Sequence, residues 1–78
     1  MTSESIEKRL EENYPGCFVQ VVDLTGAGSN FQISIRAKEF QGMNRVQCHK
    51  QVMAIFDEEL KSGEIHAMAI KTVAKEEE

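Results

Sequence analysis

Residues 31–36, Phe31-Gln32-Ile33-Ser34-Ile35-Arg36, alternate apolar and polar side chains without a break. Only an extended strand sends such residues to two opposite faces, so this stretch belongs to a sheet with one dry side and one wet side. A single strand needs partners. Cys17-Phe18-Val19-Gln20-Val21-Val22-Asp23 supplies one: β-branched and aromatic residues dominate it, with Val19 and Val21 as the inward pair. The connection Leu24–Asn30 is short and rich in glycine and serine, so the two strands are expected to form an antiparallel hairpin with a flexible loop. Glu64–Val73 supplies the third strand. Ile65, Ala67 and Ala69 fall on one side of it and His66, Met68 and Ile70 on the other, which predicts cover on both faces.

Helices fill the remaining stretches. Ser3–Tyr14 carries Ile6, Leu10 and Tyr14 at every fourth position, opens on Thr2 or Ser3 as a cap, and stops at Pro15-Gly16. Ala37–Phe40 is expected as one short helical turn. Asn44 and Gln47 then have the spacing of a capping box. The helix behind them is predicted to run to about Leu60, with Val46, His49, Met53, Phe56 and Leu60 as its buried stripe and Val52 and Ile55 widening it. On that frame Asp57, Glu58 and Glu59 oppose the dipole at the C-terminal end, and Gly63 suits the left-handed cap. A helical crossover between the second and third strands favours a parallel pair. The expected fold is therefore α+β, with KH-like helix-strand-strand-helix-helix-strand order and helices packed on a three-stranded mixed sheet.

The 78 residues suffice for one small domain, 1–78, with 74–78 as a frayed acidic tail. No run is long and apolar enough to span a membrane, and the acidic start is no signal peptide, so a cytoplasmic protein with no membrane partner is expected. Two cysteines, Cys17 and Cys48, make no disulfide scaffold and are expected as reduced thiols. The formal net charge is −4, which disfavours generic binding to phosphate backbones. The chain is expected to be a monomer or a weak homodimer.

Catalytic constellations are missing from the sequence: no serine–histidine–acid set and no paired carboxylates in a recognisable setting. Gly26-Ala27-Gly28 leads into a strand and not a helix, which excludes a dinucleotide fingerprint. Cys48 and His49 are adjacent on a helix and diverge by about 100°, so one ion cannot easily take both. His49 is expected to pack within the apolar stripe and Cys48 to flank it. His66, at the start of a strand, is the better metal-ligand candidate, since an imidazole there can stay accessible and offer a lone pair to a borderline metal, although the residues by themselves favour a structural histidine.

Phe40-Gln41-Gly42, Asn44-Arg45-Val46-Gln47-Cys48-His49 and Ile65-His66-Ala67-Met68-Ala69-Ile70-Lys71-Thr72 together resemble the BolA family pattern of F-x-G, S-R-V-x-R-H and I/V-H-A-L-x-x-K-T. The resemblance covers about Ile6–Val73. It implies a KH-like fold and a non-enzymatic partner of monothiol glutaredoxins that shares a bridging [2Fe-2S] cluster, in iron–sulfur cluster trafficking or iron regulation, with no cluster held by the chain alone. The family's histidine ligand falls on His66. Its second ligand, Cys or His, falls in the first loop, where this chain has Ser29 and Asn30. Cys48 replaces the family's arginine. The resemblance also carries an alternative, a DNA-binding transcriptional regulator, for which Arg45, Lys50 and Lys71 would be the phosphate contacts; a KH GXXG loop is not evident. A metal-free protein-interaction module is the third reading.

Overall fold

The computed structural model describes residues 1–74. Helix α1 (Ser3–Asn13) opens on a reciprocal cap: the Ser5 N–H donates to Thr2 Oγ1 and the Thr2 N–H to Ser5 Oγ, both at 3.1 Å. Its stripe of Ile6, Leu10 and Tyr14 is buried. Strands β1 (Phe18–Asp23) and β2 (Asn30–Ala37) pair antiparallel, with Val19 opposite Ile35 and Val21 opposite Ile33. Strand β3 (Ala67–Ala74) pairs parallel with β2, so the mixed sheet has the order β1-β2-β3. A 3₁₀ turn (Lys38–Phe40), helix α2 (Arg45–Ile55) and helix α3 (Asp57–Ser62) make the crossover. This is the expected α+β arrangement. The core holds Phe31, Ile33 and Ile35 of β2 against Ile6, Leu10, Phe40, Val52 and Phe56.

Three details depart from the sequence expectations. The long helix is two helices. Phe56, at φ −110° and ψ 22°, leaves the helical well, while its ring is fully buried. The break places Asp57, Glu58 and Glu59 in the first turn of α3, where the dipole favours carboxylates, and not at a C-terminus that would repel them. The inward face of α2 is also different. Cys48 and Val52 are buried, whereas His49 is exposed and Val46 is 61% exposed. Stripes 46/49/53 and 48/52/55 are both helical in spacing. The second turns to the sheet because cysteine behaves as a small hydrophobe, while an outward His49 keeps its ring nitrogens hydrated.

The third departure concerns β3. Only Met68, Ile70 and Thr72 are half-buried; Ala67, Ala69, Lys71 and Val73 are exposed. Helices cover one face of the sheet, and the other is open. Ile65 is nonetheless 1% exposed. It precedes the strand, so the alternation does not carry through His66 to Ala67. Ala74, expected in a frayed tail, closes β3; the rest of that expected tail, 75–78, lies outside the described residues.

Arg9 fastens α1 to the joint between α2 and α3. Its Nη1 lies 2.7 Å from Glu59 Oε1 and donates to the Ile55 carbonyl at 3.4 Å, and its guanidinium sits 5.0 Å from the centroid of the Phe56 ring. The hydrogen bond from Arg9 holds the Glu59 carboxyl below its ordinary value of 4.5. A lowered carboxyl stabilises the folded chain above that ordinary value, and the contribution is lost as pH falls through the lowered one. Glu59→Gln should therefore melt below the parent at neutral pH, with the gap closing in acid. Thermal melts followed across pH check this; a gap of constant size from neutral to strongly acidic pH contradicts it.

Candidate functional site

One rim of the sheet brings His66, the residue that the sequence singled out for metal binding, to the loop that holds Ser29 and Asn30. The N–H of His66 donates to the Ser29 carbonyl at 2.8 Å, and that of Ala67 to the same oxygen at 3.4 Å. Asn30 then pairs with Ala67. The loop after β1 and the start of β3 are thus joined at one end of the sheet. Ile65, buried just ahead, anchors the approach; its N–H donates to the Glu59 carbonyl at 3.1 Å. His66 itself is exposed, and among the described residues neither ring nitrogen has a hydrogen-bond partner.

The loop was expected to be flexible, but it is internally tied. Asp23 accepts from the Gly26 N–H through one carboxylate oxygen and from the Gly28 N–H through the other, each at 2.9 Å. Thr25 Oγ1 accepts from the Ala27 N–H at 3.3 Å. The run Asp23-Leu24-Thr25-Gly26-Ala27-Gly28 carried that signal: a carboxylate followed by residues able to turn back on it. Gly28 has φ +74°, and a Cβ built there would lie 2.6 Å from the Met1 carbonyl oxygen. Gly28→Ala should therefore displace the N-terminal residue and strain the loop, which would shift the amide resonances of Ser29 and His66. Unmoved Ser29 and His66 amides would contradict the coupling.

The donor set at this rim is sparse. Among the described residues no group of three His, Cys, Asp or Glu side chains could hold a metal ion. Neither cysteine is in a disulfide, and neither reaches the rim. Cys17 adjoins Phe18, whose β2 partner is Arg36, whereas the rim lies beyond the Asp23–Phe31 pair at the other end of the hairpin. That is roughly 17 Å away at about 3.3 Å per residue. Cys48 is buried, not at the helix flank as expected.

A second feature lies farther along β3. A groove of about 460 Å³ between α2 and β3 is lined by Arg45, Val46, His49, Lys50 and residues Ile70–Val73. Arg45, Lys50 and Lys71, the cations singled out for the nucleic-acid alternative, meet here. His49 faces the same space instead of the core, a placement that the misassigned helical stripe hid.

Comparison with known proteins places this geometry in a family. The model for BolA-like proteins matches residues 5–77. The chain belongs to the BolA family. It is 33% identical over 72 residues to Protein BOLA2 of Arabidopsis thaliana, covering 91% of this chain and 75% of that protein. Among solved structures, BolA1 from Arabidopsis thaliana superposes with a TM-score of 0.84 at 25% identity, over 97% of this chain and 94% of that one. The BolA domain of SufE1 from the same plant gives 0.82 at 27% identity, over 92% and 89% of the two chains. Among the described residues no helix is long and apolar enough to cross a membrane.

Proposed function

We propose that this BolA-type chain is a cytoplasmic, non-enzymatic partner of a monothiol glutaredoxin and lends His66 to a [2Fe-2S] cluster shared between the two proteins, in cluster trafficking or iron regulation. One observation carries the reading: the His66 imidazole is exposed at the rim, and among the described residues no group of three His, Cys, Asp or Glu side chains could hold a metal ion. Such a site fits a cluster whose other ligands come from a partner. Ser29, the neighbour on the loop, is a poor substitute because its hydroxyl stays protonated near neutral pH. The cluster is cargo, and imidazole in place of thiolate raises its reduction potential. What the chain itself contributes is placement. The Ser29 carbonyl pins the His66 backbone, buried Ile65 fixes the approach, and the Asp23 clasp ties the loop that carries Ser29.

The test is a titration of [2Fe-2S]-loaded monothiol glutaredoxin with this protein, followed by visible absorption and circular dichroism. A changed spectrum with the parent chain, and none with His66→Ala although the two proteins still bind, is the expected result. Binding by the parent chain without any spectral change would leave the metal-free interaction module in its place.

A further inference from the structure

The basic groove is separate from the metal-sharing rim, and we infer that it is a docking slot for an extended acidic-apolar peptide segment of a partner protein, which adds as a fourth strand along the outer edge of β3. This does not rest on the cluster proposal. His66 precedes β3, whereas the groove begins at Ile70, roughly 13 Å farther along at about 3.3 Å per residue.

Three observations point the same way. First, Ile70, Lys71, Thr72 and Val73 line the groove in unbroken succession. Side chains of a strand alternate between faces, so a run without gaps means that the groove follows the strand's edge. Among the described residues β2 is the one strand that pairs with β3, so no strand occupies its other edge, the kind of edge to which a further strand can add. Second, the lining is basic in an acidic protein. Arg45, Lys50 and Lys71 line the groove, among the described residues no carboxylate does, and the chain carries a net charge of −4. Third, the surface is apolar where it should be wet. An adjoining groove of about 270 Å³ on the open sheet face shares Lys71 and Val73 and adds Phe18 and Arg36. Of the five large apolar side chains exposed among the described residues, Phe18 at 64%, Val46 at 61% and Val73 at 39% line these two grooves. Exposed apolar groups gathered in one place mark a binding surface. Cations interleaved with valine and phenylalanine fit a peptide that alternates carboxylates with aliphatic side chains. A phosphate backbone would use the cations and leave the apolar groups uncovered, so a protein segment is favoured over a nucleic acid.

The experiment uses the full chain and a labelled alternating Glu-Val peptide of about eight residues, an ordinary strand length. Saturable amide shifts in residues 45–50 and 70–73 are expected, with His66 unmoved. Charge reversal at two exposed positions, Arg45→Glu with Lys50→Glu, should weaken binding by about tenfold or more and flatten its salt dependence. N-methylation of alternate peptide amides should weaken it similarly, because strand addition uses backbone hydrogen bonds. His66→Ala should bind the peptide as the parent does, which separates failure here from failure of the cluster proposal. A thymidine oligonucleotide that shifts the same amides and binds more tightly than the peptide would overturn the inference. So would an N-methylated peptide that binds as well as the plain one, or the absence of saturable shifts.

Discussion

Phe56→Ala should leave most of the chain unfolded at room temperature. The ring is fully buried, and removing it costs about 3–5 kcal/mol in lost transfer energy and cavity formation. A core in a domain this small supplies only about 3–5 kcal/mol of net stability. The site also has little means to collapse. Phe56 is the joint between α2 and α3, and the Arg9 guanidinium packs over its ring while bonding Glu59. Losing the ring therefore loosens α1 as well. Far-ultraviolet circular dichroism through a urea titration measures this. The matched control is Val46→Ala, which removes an apolar residue of the stripe predicted from sequence but one that is 61% exposed, and which should move the midpoint little. Equal losses in the two variants would contradict the core described above.

Ser29→Cys should tighten the hold of the mixed complex on its cluster. The Ser29 carbonyl already bonds the His66 N–H, so a thiol at position 29 would enter beside the imidazole. A thiolate is a strong iron ligand where a serine hydroxyl is not. Changes in the ligand environment typically move metal affinity on the order of 10–100-fold. Loss of cluster from the Ser29→Cys complex to an acceptor should slow by a factor in that range, and the visible spectrum should shift toward thiolate charge transfer. Transfer at the parental rate would mean that position 29 does not face the shared cluster. Cys17 and Cys48 serve as internal controls, since one lies at the far end of the hairpin and the other is in the core.

The strands were legible because alternation has one physical meaning. Phe31, Ile33 and Ile35 could be satisfied only by a half-buried strand, and the short loop and the helical crossover then dictated antiparallel and parallel neighbours. The capping box at Asn44 and Gln47 was equally local: the Gln47 N–H donates to Asn44 Oδ1 at 2.8 Å, and the Asn44 N–H to Gln47 Oε1 at 3.1 Å. The helix face was not legible, because residues 46–60 are apolar around most of the helix and periodicity alone did not choose between Val46/His49 and Cys48/Val52. Tertiary packing made that choice, along with the break at Phe56 that put three acids at a helix start. At the site, His66 was visible through its motif and its place before a strand. Its junction with Ser29 is a long-range backbone contact that no local pattern encodes. The basic groove was half visible: its three cations were picked out singly, but only the fold brings them to one edge of β3.

The most direct test of the central claim is nitrogen hyperfine spectroscopy on the reduced mixed complex, with this chain carrying ¹⁵N-histidine and the glutaredoxin unlabelled. The chain has two histidines, so one variant assigns the signal. The account predicts a strongly coupled ¹⁵N imidazole that survives His49→Ala and vanishes in His66→Ala. A cluster without any coupled ¹⁵N from this chain would contradict it.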